Sequence, residues 1–148
     1  MFDGPRALLA AVGTTVGPTE WLTISQEQVN LFAQATGDDQ WIHVDVERAN
    51  EGPFGAPIAH GYLTMSLCAP LLAKLVQVDN ISMGINYGVN TARFVSPVLG
   101  GSRIRARGEI AEVVEVIGGV QAVVTITIDI EGADKPAAVV ETVSRYLA

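Results

Sequence analysis

The sequence predicts an α+β domain in which a curved antiparallel sheet wraps one long buried helix. Three observations predict it. The run Gly61 to Val76, GYLTMSLCAPLLAKLV, is apolar around nearly its whole circumference, which marks a helix covered on every side. The second half of the chain is rich in β-branched residues. Within it Ala122, Val124, Ile126, Ile128 and Ile130 alternate with Gln121, Val123, Thr125, Thr127 and Asp129, the period of a sheet with one face on the core. A sheet curved around the apolar helix satisfies both needs at once. The 148 residues fit a single domain, 1–148, with a real core.

TEWLTIS, Thr19 to Ser25, alternates as a first strand does. Ser25 then caps a helix, with Gln28 three residues on as the other half of a capping box and Ile24 and Val29 as a hydrophobic staple. Val29, Phe32, Ala33 and Thr36 follow at helical spacing, and Gly37 is the expected left-handed stop. Asp45 can cap a short helix through Asn50. EGPFGAPIAHG is loop chemistry. The central helix begins at Gly61, and Pro70 kinks or divides it. Ile81 to Val95 has strand-like parts broken by Gly84 and Gly88. Arg103 to Ile117 and Val120 to Ile130 are strands joined by a Gly118-Gly119 hairpin turn, and KPAAVVETVSRYLA is the last strand.

The chain is 49% hydrophobic and 17% charged, so it is globular. Its net charge of -7 argues against a nucleic-acid surface, which needs clustered Lys and Arg. The single cysteine, Cys68, has no internal partner and no metal-ligand spacing, which fits a reducing, cytoplasmic setting. The start of the chain holds only a short apolar patch, Ala7 to Val12, without the cationic start and longer apolar core of a secretory signal. The longest apolar run is shorter than the roughly 20 residues of a membrane span and carries Pro70 and Lys74, so a soluble protein is expected.

Few residues can carry chemistry. In GDDQWIH, Asp38 and His43 stand just past the Gly37 stop. A neutral imidazole is the side chain best suited to take a proton near pH 7, and a carboxyl group beside it can handle a second. From spacing alone two readings stand open: a proton-moving pair facing one water, or a turn-capping Asp38 beside a packed His43 ring. Asp39 is expected to face solvent. At His60-Gly61 two readings again stand open: the opening of the buried helix offers an unpaired N–H to which glycine admits a ligand, or Gly61 simply permits the turn from loop to helix. His60 itself reads best as a structural histidine bonded to backbone. Ser66 either bonds the carbonyl four residues back or orients Asp38. No GxSxG elbow, GxGxxG fingerprint or P-loop is present, and two histidines far apart in the chain make a poor metal-ligand set.

FAQATGDDQWIHVDVERA, followed by GPFGAPIAHGYLTMSL, resembles the MaoC-like (R)-specific enoyl-CoA hydratases (hydratase 2), and among them the nodulation-protein-N-like branch. Phe32, Gly37, Asp38, Ile42, His43 and Ala49 fall on the family's first motif, and Ala59-His60-Gly61 supplies the second. INYGVNTARFVSPVLGGSRIRA and AVVETVSRYLA are similar to that branch as well, so the likeness covers nearly the whole chain. Gln40 and Trp41 replace the motif's Asn and Pro, which leaves open how the loop is braced.

The resemblance implies a hot-dog fold, a homodimer with sheets joined edge to edge, and an Asp38–His43 catalytic dyad. It implies a Gly61 oxyanion donor and Ser66 as the dyad's support. The implied reaction is reversible syn addition of water to a trans-2-enoyl thioester, giving the (R)-3-hydroxyacyl product. No cofactor or metal is implied, because CoA or a carrier protein's pantetheine is part of the substrate. The phosphates of CoA need a local cation, for which Arg93 is the candidate. Arg103, Arg105 and Arg107 share one strand face and read better as ordinary surface charges. The apolar helix faces and VQVDNISMGINYG can bound an acyl tunnel. A hot-dog acyl-CoA thioesterase and a non-catalytic acyl-thioester binding protein are the competing functions.

Overall fold

A computed structural model describes residues 1–148. A 3-10 helix, Pro5–Ala11, opens the chain and places Leu8 wholly inside the core. Seven residues are too few for a readable period, and this element was not foreseen. Two short strands follow, β1 (Thr15–Val16) and β2 (Leu22–Thr23). The expected strand over Thr19 to Ser25 shrinks to β2, because the Thr19 hydroxyl takes the Ala106 N–H and interrupts the ladder.

Helix α1 (Gln26–Thr36) begins where the cap predicts, with Ser25 Oγ accepting from the Gln28 N–H at 3.1 Å. The reciprocal bond from the Gln28 side chain does not form, so only half of the capping box is present. Ile24 and Val29 are both buried, as a staple requires. Gly37 ends the helix at φ 81°, a conformation that glycine adopts without steric cost.

A turn of helix, α2 (Trp41–Val44), stands where the sequence was read as loop. It is a single turn without a side-chain cap, too short to give a periodic signal. Asp45 caps α3 (Val46–Asn50) through a 3.1 Å bond from the Arg48 N–H.

The central helix runs in two pieces, α4 (Gly61–Ser66) and α5 (Cys68–Leu75). The division falls at Leu67, in the turn before Pro70. Proline has no N–H to give the carbonyl four residues back, here that of Ser66, and its ring crowds that carbonyl.

The remaining strands are β3 (Met83–Phe94), β4 (Arg103–Val116), β5 (Gly119–Ile130) and β6 (Ala138–Leu147). β3 runs through Gly84 and Gly88 rather than breaking there. Its register against β6 shifts between Asn86 and Gly88 and again between Val89 and Thr91, so irregular pairing absorbs what the glycines suggested. The sheet is antiparallel in the order β1-β4-β5-β6-β3, with β2 also paired to β4. Ala122, Val124, Ile126 and Ile128 of β5 are fully buried, as their alternation predicts. They join Leu71, Leu72, Ile104, Ile110 and Val140 in one apolar cluster between helix and sheet. Each such Val, Leu or Ile contributes about 1.5–3 kcal/mol on burial. This is the hot-dog arrangement, and it brings the start of α4 against the end of α1.

Candidate active site

The site is assembled by three chain segments. Gly37 turns the chain out of α1 and leaves Asp38 exposed, its N–H within 3.3 Å of the Thr36 hydroxyl. α2 carries His43 inward until only 6% of it remains accessible. The segment Ile58-Ala59-His60 runs beneath both. It is anchored by bonds from the Ile58 N–H to the Ile42 carbonyl at 3.0 Å and from the Ala59 N–H to the Val98 carbonyl at 2.8 Å.

His43 Nδ1 lies 2.7 Å from the Ile58 main-chain oxygen. A carbonyl only accepts, so Nδ1 carries the proton and the Nε2 lone pair of the neutral ring is free for chemistry. The main-chain carbonyl of His43 accepts a 2.7 Å bond from Gln26 Nε2, which ties α2 to the first residue of α1. His60 lies with Nε2 2.8 Å from the Asp38 main-chain oxygen and stacks on His43, with ring centroids 3.8 Å apart and planes inclined by 23°. One carboxylate oxygen of Asp38 and one ring nitrogen of each histidine lie within 4.8 Å of one another. A single water can therefore meet both the carboxylate and the imidazole. These are also the donor types of a cation site, and the distance between the histidines along the chain was no guide to their stacking. One nitrogen of each is already directed at a backbone carbonyl.

Gly61 is the first residue of α4, and its N–H has no acceptor within the chain. Space, rather than backbone freedom, favours glycine here. A Cβ would stand 3.0 Å from the Phe94 ring, which covers the position.

Ser66 is exposed and gives its hydroxyl proton to the Tyr62 carbonyl at 2.7 Å, the local alternative, rather than to Asp38. What touches the Asp38 backbone is His60 and Thr36. Arg93 is exposed on β3. Its neighbour Phe94 faces Gly61, so Arg93 points to the other side of the sheet and is not brought to the dyad within this chain. Arg103 pairs with Glu131, Arg107 pairs with Asp129, and Arg105 lies 4.4 Å from the Trp21 ring centre, so all three are engaged in surface contacts. Trp41 braces its loop by packing: the Arg48 guanidinium sits 4.2 Å over its ring, and a Cβ on Gly52 would come within 3.1 Å of that ring. Asp39 is exposed, as expected.

The family model of the MaoC like domain matches residues 8–132, most of the chain and all of the residues just described. The chain belongs to the MaoC-like family. Among its MaoC-like relatives, 3-hydroxyacyl-thioester dehydratase Z of Mycobacterium tuberculosis is 49% identical over 148 residues, covering 99% of this chain and 98% of the relative. Nodulation protein N of Rhizobium leguminosarum is 42% identical over 130 residues, or 85% of this chain and 80% of that protein. The solved structure of an (R)-hydratase from A. caviae involved in PHA biosynthesis superposes with a TM-score of 0.74 at 26% identity, covering 90% of this chain and 94% of the other. The nodulation-protein-N-like branch read from the sequence is among these relatives.

Proposed function

We propose that this MaoC-like protein is an (R)-specific enoyl-CoA hydratase, equally a 3-hydroxyacyl thioester dehydratase, that adds water to a trans-2-enoyl thioester with syn geometry. The observation that carries the reading is the clustering of the Asp38 carboxylate with a ring nitrogen of His43 within 4.8 Å, with the tautomer set by Ile58. The names of the dehydratase and the (R)-hydratase among its relatives support it.

In the proposed reaction His43 Nε2 takes a proton from water as the oxygen attacks C3. Charge moves to the thioester oxygen, which the Gly61 N–H receives at the positive end of α4. The proton held by His43 Nε2 passes through the bound oxygen to the Asp38 carboxylate and from it to C2, so water is added and both residues return to their starting states. One water touching both groups accounts for addition on one face. The thioester supplies the electrophile, and the mechanism calls on no cofactor or metal.

Two cavities of about 180 and 430 Å³ run along α5 and share Ala69, Leu72, Asn86 and Ser144. We assign them to the acyl chain, with Ser66 lining the smaller one. The thioester carrier is CoA or the pantetheine of a carrier protein. The working form is a homodimer, supported by β3. This strand is paired on one side only and exposes Met83, Ile85, Tyr87 and Val89. No helix is long and apolar enough to cross a membrane, and we place the enzyme in the cytoplasm, where the free thiol of Cys68 stays reduced.

The deciding experiment supplies crotonyl-CoA and longer trans-2-enoyl-CoA and follows enoyl absorbance, free thiol and product configuration. Loss of enoyl absorbance without thiol release, with an (R) product, is expected. Thiol release would identify a thioesterase instead, and no turnover of any chain length would leave only a binding role.

A further inference from the structure

His60 is a polar side chain in a place that demands an explanation. Only 2% of it is accessible, and its Nδ1 is buried without a hydrogen-bond partner. A buried unpaired acceptor carries a desolvation cost, so an apolar residue would serve better if packing were the only need. Its other nitrogen faces the Asp38 main-chain oxygen at 2.8 Å. That oxygen can only accept, so Nε2 is the protonated nitrogen and Nδ1 the bare one. The ring lies between Phe32, with centroids 4.8 Å apart, and His43, at 3.8 Å.

We propose that His60 is a positioning residue that holds the Asp38 main chain against the ring of His43, through one hydrogen bond and one stacking contact. It transfers no proton itself. Asp38 follows a helix stop in an exposed turn, where the backbone is otherwise held only by the 3.3 Å contact to Thr36. The bond from His60 fixes the peptide that joins Asp38 to Asp39. The stacked face fixes the plane in which His43 presents Nε2. Ile58, two residues before, fixes which nitrogen is presented. A single tripeptide thus orients both members of the dyad, and Gly61 follows it directly. Misplacement of reacting groups by about 1 Å costs on the order of 100-fold in rate, which is why a buried donor at this point is worth an unpaired acceptor on its far side.

This inference rests on the hydratase reading, and its test separates the two. Gln and Asn are both polar, but their amide nitrogens reach different points. That of Gln falls near imidazole Nε2, and that of Asn near Nδ1. His60→Gln keeps the hydrogen bond to the Asp38 carbonyl and loses the stacked face, so it is expected to lose only part of kcat for crotonyl-CoA. His60→Asn is expected to lose on the order of 100-fold in kcat, with KM nearly unchanged and with the pH–rate profile unaltered in shape. An activity-free readout accompanies them: the backbone order parameter of the Asp39 amide, on the peptide His60 holds, is expected to fall from about 0.85 toward 0.6 in His60→Asn but not in His60→Gln. Equal activity in the two variants, or an Asp39 amide equally rigid in both, would overturn the proposal. Loss of one limb of the pH profile would overturn it too, by making His60 a proton carrier. A wild-type protein that hydrates no enoyl thioester would remove the hydratase reading, while the Asp39 measurement would still decide whether His60 holds the turn.

Discussion

His43 and Ile58 are joined by a 2.7 Å hydrogen bond from the ring to the main-chain carbonyl. The bond decides the tautomer, and with it which nitrogen meets the water. General acid–base groups of this kind contribute about 10²–10⁴-fold to rate. His43→Gln and Asp38→Asn are each expected to lower kcat for crotonyl-CoA by that amount. Circular dichroism and the melting temperature should show an intact fold. Near-wild-type turnover in either variant would remove that residue from the mechanism.

Gly61 serves two purposes that can be separated. Adding a Cβ brings it to 3.0 Å from the Phe94 ring, and it also narrows the approach to the Gly61 N–H. Phe94 is 47% exposed, so its ring can yield at modest cost. Gly61→Ala is therefore expected to change stability by no more than about 1–3 kcal/mol, the usual range for overpacking, while hydration falls far more. Gly61→Ala combined with Phe94→Ala relieves the clash. It should recover the melting temperature without recovering kcat. Recovery of both would show that Gly61 matters only for packing.

The parts of the fold legible in the sequence are those with a long period or a chemical terminus. α1 was readable because Ser25 and Gly37 bound it, and β5 because five alternating residues share a face. The 3-10 helix around Leu8 and the single turn holding His43 were not, because neither is long enough to repeat. The dyad was legible only as neighbours in a motif. Its geometry depends on Ile58 and His60, which lie 15 and 22 residues along the chain from the groups they contact. Ser66 has two partners open to it by sequence, and the bond to the Tyr62 carbonyl is the one that forms. Arg93 could be assigned to a strand but not to a side of the sheet, because the pairing irregularities in β3 obscure the alternation. Trp41, unexplained by the motif, is accounted for by Arg48 and Gly52, contacts that exist only once α2 and α3 have turned on each other.

Two buried acids govern stability at high pH. Burial pushes the Cys68 thiol up to about 11 and the Tyr146 phenol up to about 12, since both resist ionising away from water. The unfolded chain ionises these groups at lower pH than the native one does, so it binds fewer protons in that interval and stability falls as pH rises. The contribution of Cys68 is present below its unfolded value of 9.0 and is lost toward 11. Melting temperature should therefore be steady up to about pH 9.0 and decline above it. Cys68→Ala, although less stable throughout, should show a shallower decline between those limits. An identical slope would show that the thiol does not drive the alkaline loss.

Ala69 is shared by both cavities along α5, where a larger side chain would divide one from the other. Ala69→Phe is expected to leave crotonyl-CoA hydration close to wild type and to reject long enoyl chains. Each methylene excluded from an apolar pocket is worth about 1–3 kcal/mol. The ratio of kcat/KM for a long to a short chain should thus fall by at least an order of magnitude. An unchanged ratio would place the acyl chain elsewhere.

The free edge of β3 offers a row of unpaired backbone groups beside Ile85, Tyr87 and Val89, all exposed in the single chain. An edge of this length whose single charge, Arg93, lies at its far end pairs readily with another strand, and two copies meeting about a twofold axis satisfy both edges at once. Sedimentation velocity should find a particle of twice the 15.6 kDa chain mass. Val89→Lys places a charge on that edge and is expected to shift the equilibrium toward monomer, with hydration activity falling in step if the acyl cavities need the partner's cover. A wild-type monomer would remove the dimer from the proposal. A Val89→Lys dimer as tight as wild type would move the interface away from β3.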